Sequence, residues 1–262
     1  MTHSLTIELP EVVYQSLREE AAQKGKGRRY IHSLFEDTLM GWRSQAYRRS
    51  TKSGSLAHAL NGVFDYKKVV PDYVEQARKL GHTKSPQELW QTLLNFPAQK
   101  WREAPMHGDM HGNNVRVRNN DAIIIDLANT AIGPLCADLA SLDVWFSFEL
   151  PGKEQTIPAR DTWTKAVTEL YSLEQVTRLR KVESVDVGLE WLRGCIRQIR
   201  MISGAICECE TEYPTAVAIY LLRRATYAAG NEEDEYRRVY AYWLGAMLVE
   251  DLTRQFDSAV VT

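Results

Sequence analysis

No stretch of this sequence approaches the roughly 20 consecutive apolar residues that a membrane-spanning helix needs. The opening residues, MTHSLTIELP, lack the basic and apolar regions of a signal peptide. Neither sign of charge dominates: 32 Lys and Arg stand against 34 Asp and Glu, a net charge of -2 with a pI near 6.3. That balance excludes a general pull toward nucleic acid or an anionic membrane. There are only four cysteines, Cys136, Cys195, Cys207 and Cys209, without framework spacing. They suit a reduced, cytoplasmic chain. Cys207 and Cys209 have no His or second Cys pair near them, so two helix cysteines are a better reading than a metal site. Internal repeats and low-complexity segments are absent, and so is any Gly-x-Gly-x-x-Gly. The Gly- and base-rich run Lys24-Gly25-Lys26-Gly27-Arg28-Arg29 sits between helical patterns and reads as a solvated turn.

What remains is ordinary globular material, 44% hydrophobic and 25% charged, enough for one large core or two small domains. Leu5, Ile7 and Leu9 alternate with polar residues and predict a half-buried strand. Pro10 ends it, and Val13, Leu17 and Ala21 follow at helical spacing. A second helix is expected over Tyr30, Ile31, Leu34, Leu39 and Trp42. Residues 1–44 thus read as a strand-helix-helix leader. Arg43 to Ser55 is polar, basic and Gly/Ser-containing, a linker or exposed loop. Ser85-Pro86-Gln87-Glu88 is a capping box with Pro at the first helical position.

Residues 114–126 change period. Val115 and Val117 alternate with Arg116 and Arg118, Asn119-Asn120-Asp121 supplies a turn, and Ala122 to Ile125 form an apolar run ending in Asp126. This predicts a hairpin that folds Asp126 back beside Asn114. Beyond Asp138 the pattern is helical, with Val185, Leu189, Leu192, Ile196, Ile199, Ile202 and Ile206 marking one long amphipathic helix. The acidic run Glu232-Glu233-Asp234-Glu235 suits a helix start, where acids complement the dipole. As the wall of a pocket it would suit a cationic ligand.

Phosphoryl transfer needs a carboxylate to orient and deprotonate the attacking hydroxyl, and oxygen ligands to hold Mg2+ against the nucleotide phosphates. A base Asp five residues before an Asn ligand, and a second Asp after the next hairpin, is the kinase spacing. Asp109, Asn114 and Asp126 have it. The run His107-Gly108-Asp109-Met110-His111-Gly112-Asn113-Asn114 resembles the H-G-D-x-H-x-x-N motif of aminoglycoside phosphotransferases and choline-kinase-like enzymes. Ile125-Asp126-Leu127 resembles the metal motif of that family, and Gly133-Pro134 with Asp138-Leu139-Ala140 resembles its following element in slightly altered form. The resemblance implies Asp109 as catalytic base, Asn114 and Asp126 as Mg2+ ligands, and His107, His111 and Asp138 as supports of the loop. It implies ATP as donor and a small-molecule hydroxyl as acceptor.

The expected fold is α+β and mostly α: a protein-kinase-like C-terminal lobe over residues 56–262, with a catalytic-loop hairpin and a helical second half. Only 106 residues precede His107, too few for that lobe's opening helices and a full N-terminal sheet lobe. The lysine that would position the nucleotide phosphates cannot be named. The leader resembles a ribbon-helix-helix module in length and pattern. Its outward Ser4, Thr6 and Glu8 carry no cation, so specific DNA binding is not expected and a dimerisation arm is. Two functions follow: a small-molecule kinase, with a second chain supplying the missing lobe if one is needed, or a non-catalytic regulatory protein, dimeric through residues 1–44.

Overall fold

The structure, a computed structural model, describes residues 15–17, 20–21, 26–118, 121–149, 158–178 and 189–260. The strand expected at residues 4–9, with its outward Ser4, Thr6 and Glu8, lies outside the described residues, as do Lys24-Gly25, the Asn119-Asn120 turn and Val185. The architecture is α+β and mostly helical. Among the described residues no helix is long and apolar enough to cross a membrane.

The chain enters on β1 (Gln15–Ser16), which pairs antiparallel with β5 (Val115–Arg118); β5 pairs in turn with β6 (Asp121–Ile124). A helix was expected through residues 15–16, between Val13 and Ala21. The hairpin edge captures these residues instead, because an unpaired strand edge is the nearest source of backbone partners. Leu17 and Ala21 are buried as their spacing requires. Next come α1 (Gly27–His32), one wider π-helical stretch (Ser33–Thr38) and α2 (Met40–Ala46). Gly27 begins a helix rather than ending one. A Cβ there would lie 2.3 Å from Cys195 Sγ and 2.7 Å from Ala21 Cβ. A close crossing, not a turn, requires that glycine. These helices share one hydrophobic core with the rest of the chain. Thr38 Oγ1 donates to Ala122 O at 2.6 Å and Ala122 N donates to Ser33 Oγ at 3.4 Å, fixing them to the hairpin.

The expected linker is partly ordered. Lys52–Gly54 forms β2, antiparallel to β3 (Gln99–Trp101). Between them lie α3 (Leu56–Ala59), α4 (Pro71–Lys79) and α5 (Pro86–Leu94). The α5 capping box is formed: Glu88 N donates to Ser85 Oγ and Ser85 N to Glu88 Oε2. A second pair not evident from the sequence joins β4 (Glu103–Met106) to β7 (Ala131–Pro134). It clamps the start and end of the segment that carries the motifs.

Helix α6 (Ala137–Phe148) is buried along its whole length. It has no amphipathic stripe because every face meets protein. Around it pack α7 (Arg160–Leu170), α8 (Leu173–Thr177), α9 (Glu190–Ile206), α10 (Glu212–Arg224) and α11 (Glu232–Val260). Inside this bundle Arg200 of α9 forks onto Asp143 of α6, Nε to Oδ2 at 2.8 Å and Nη2 to Oδ1 at 3.2 Å. Tyr171 and Tyr213 donate their hydroxyls to the same carboxylate at 2.6 and 2.8 Å. Arg200 Nη1 donates to the carbonyls of Leu170 and Gln175. Both charged side chains are at most 2% exposed. A buried pair is tolerated only when its lone pairs and protons are satisfied in this way.

Two stability outcomes follow. Arg200→Ala leaves the Asp143 charge buried and unpaired, and should lower the unfolding free energy by about 3–5 kcal/mol in urea denaturation. Glu212, at the start of α10, is pushed up to about 7 by burial, against the hydrogen bond from Glu208 N. Its folded pKa lies above the unfolded value, so the folded state binds the extra proton and stability falls as pH rises from about 4.5 to about 7. Glu212→Gln should flatten that slope and gain about 1–3 kcal/mol at pH 8. Equal slopes for both proteins in denaturation at pH 5, 6.5 and 8 would contradict the assignment.

Candidate active site

The motif segment runs from β4 through an exposed-to-buried loop into the β5–β6 hairpin. His107 is fully buried and holds the loop from its centre. Its Nε2 lies 2.8 Å from Ile125 O, and its Nδ1 accepts from Asp109 N at 3.3 Å. The carbonyl needs a donor and the amide an acceptor, so the tautomer is protonated on Nε2. Asp138, in the first turn of α6, accepts His107 N at 2.7 Å and Gly108 N at 3.1 Å. Burial raises its pKa, and the two N–H bonds oppose that rise. Gly108 sits at φ +78°, where a Cβ would also fall 2.4 Å from Asn129 O. Only glycine fits.

Asn114 is buried and closes the loop: its Nδ2 donates to Asp109 O at 3.0 Å, and its carbonyl accepts Ile125 N at 2.9 Å. That last bond places Asp126 one residue beyond the partner of Asn114. Asp126 adopts the left-handed region, φ 59° and ψ 66°. For a non-glycine residue this backbone is strained, and such strain gathers at functional sites. Its exposed carboxylate forms no hydrogen bond or ion pair among the described residues. Asn114 Oδ1 and the Asp126 carboxylate are oxygen donors on adjoining backbone, the donor chemistry Mg2+ takes with water and phosphate completing the shell. No group of three or more His, Cys, Asp or Glu able to hold a metal occurs among the described residues.

Asp109 is half-buried between His111 and Arg223. His111 Nε2 stands 3.6 Å from one carboxylate oxygen, and Arg223 Nη2 donates to the other at 3.3 Å. The hydrogen bond from His111 comes first in holding the carboxyl below the usual range; Arg223 adds to it against partial burial. His111 therefore touches Asp109 itself, where the sequence suggested only a loop support. Arg223 was not anticipated. It stands at the end of α10, 114 residues from Asp109. Nothing local in the sequence couples the two.

Beside Asp109 opens a cleft of about 470 Å³, lined by the loop, α6, the end of α10 and Arg238 of α11. The acidic run expected as a possible wall is not in it. Glu232 and Glu233 face Arg160, Glu235 accepts from Gln76, and Asp234 holds Gly230 N and Arg238 at the start of α11. The helix-start reading is the structural one.

One consequence is measurable without turnover. Carbon-13 NMR of the Asp109 carboxyl should show a titration midpoint below that of an unperturbed Asp. His111→Asn should raise that midpoint, and Arg223→Gln should raise it by less. Midpoints unchanged in both variants would refute the two contacts.

Residues 41–167 match the model of the phosphotransferase enzyme family, APH. No curated protein matches the sequence. Among solved structures, a glucosamine kinase (crystal form A) matches at 8% identity and TM-score 0.43, covering 94% of this chain and 59% of its own. A glucosamine kinase in complex with glucosamine, ADP and inorganic phosphate matches at 9% identity and TM-score 0.42, covering 97% of this chain and 64% of its own. The chain therefore spans about three fifths of the length of those kinases. The matched segment runs from α2 into α7 and contains the loop from His107 to Asn114, the hairpin and Asp138.

Proposed function

We propose that the protein transfers the γ-phosphoryl group of ATP to a hydroxyl of a small molecule. The observation that carries this reading is the loop from His107 to Asn114. It is pinned internally by Asn114 on Asp109 O and externally by Asp138, leaving the Asp109 carboxylate at the mouth of a cleft of small-molecule size. Asp109 accepts the proton of the attacking hydroxyl and orients that oxygen. The lowered pKa keeps it ionised at neutral pH. His107 holds the carbonyl of Ile125, and with it the approach to Asp126. Asn114 and Asp126 would hold Mg2+, which would supply charge neutralisation at the nucleotide phosphates. Arg223 positions the Asp109 carboxylate from the acceptor side.

The non-catalytic alternative draws on one observation, the Arg223–Asp109 ion pair, which occupies an oxygen that a substrate hydroxyl would use. The two readings separate on a single comparison. Asp109→Asn keeps the side-chain size and removes the proton acceptor, so ATP-dependent phosphorylation should fall by about 10²–10⁴-fold. Asp126→Ala should chiefly weaken Mg-nucleotide binding in calorimetry. Activity in Asp109→Asn equal to that of the wild type, with a no-enzyme control at background, would sink the assignment.

A further inference from the structure

Every family-type reading of the acceptor side leads first to acids that would receive a cation. The cleft beside Asp109 does not offer them. Among the described residues its only lining carboxylates are Asp109 and Glu149, against Arg223, Arg224 and Arg238. Both carboxylates are already engaged by arginine: Asp109 by Arg223 at 3.3 Å, Glu149 by Arg224 at 2.7 Å. The acids of the α11 start are bonded elsewhere, as described above.

Unused donors, by contrast, gather in the same wall. Arg224 donates one hydrogen bond, to Glu149, and its buried Nε–H has no partner. A guanidinium carries five such donors. The buried hydroxyl of Tyr220, one turn earlier on α10, is likewise unpartnered. Burial raises its pKa, so it stays a proton donor at any physiological pH. Arg223 donates to Asp109 at 3.3 Å. Its guanidinium also lies 5.7 Å from the ring of half-exposed Tyr227. Buried donors without acceptors carry a free-energy cost that an anionic ligand relieves and a cation, which brings no acceptor, does not.

We infer that the acceptor of this site is a small polyhydroxylated anion, a sugar or polyol bearing a carboxylate or phosphate, with the anionic group received by Arg224 and Tyr220 and the reacting hydroxyl set at Asp109. The inference rests on Asp109 marking the acceptor side of the loop. It reverses the cationic preference that the acidic run Glu232–Glu235 suggested. Tyr227 and Trp145 supply flat surfaces for the sugar body.

The test is calorimetry of the full chain at fixed ionic strength with D-gluconate, D-glucose 6-phosphate, D-glucose and D-glucosamine. At least one of the two anions should bind tenfold or more tightly than glucose, and glucosamine no more tightly than glucose. Which anion wins distinguishes carboxylate from phosphate. Arg224→Gln should abolish the tenfold preference, Arg224→Lys should retain part of it, and Tyr220→Phe should weaken anion binding while glucose binding stays unchanged. Thermal melting of each variant checks that the fold is kept. Glucosamine binding above glucose, or no anion preference in the wild type, overturns the inference. Anion binding without ATP-dependent phosphorylation of the bound anion would instead defeat the phosphotransferase reading and leave the anion site standing. Phosphorylation of glucosamine without anion binding would do the reverse.

Discussion

The carboxylate of Asp143 is the point on which the helical half is built. Four side chains converge on it or beside it: Arg200 from α9, Tyr213 from α10, Tyr171 from the end of α7, and Ser147, which shares the Tyr171 hydroxyl. A charge with no water around it needs every lone pair occupied. That requirement fixes the mutual placement of α6, α9 and α10 more narrowly than apolar packing does, because hydrogen bonds are directional and hydrophobic contacts are not. Arg200 in turn occupies the carbonyls at the α7–α8 corner, so the same node ties down a fourth element.

The consequence reaches the site through α6. Asp138 lies five residues before Asp143, a rotation of about 140° around a helix. One carboxylate faces the bundle and the other faces the loop, where it receives the N–H groups of His107 and Gly108. Fixing α6 by its inner face thus sets the position of the loop by its outer face. The β4–β7 pair completes the arrangement, holding the strands on either side of the motif segment together. The Asp109 carboxylate inherits its position from both.

The same helices decide the electrostatics of the cleft. Tyr213, which is bonded to Asp143, lies in the first turn of α10; Tyr220 follows about two turns further along it, and Arg223 and Arg224 about three. A single rigid helix therefore connects the buried anchor with the basic wall opposite Asp109. Charge in the wall depends on helix orientation, which the anchor settles, and not on the overall composition, which is nearly neutral.

Several features were legible from sequence because they are local. The spacing of Asp109 and Asn114, the hairpin that returns Asp126, the capping box at Ser85 and the long apolar stripe of α9 each depend on residues within a few positions of one another. Periodicity and turn chemistry report such features directly. Three things were decided only by the tertiary fold. The strands at Lys52–Gly54 and Glu103–Met106 are short, carry weak alternation, and exist because a distant partner offers backbone donors and acceptors. Glycine at position 27 looks like a helix stop, but is required by the thiol of Cys195 from another helix. The partners of the charged groups are the clearest case. Arg223 reaches Asp109 across 114 residues and Gln76 reaches Glu235 across 159. A sequence states that a charge is present; only the packing of helices, through distance and burial, determines which opposite charge or orphan donor it meets.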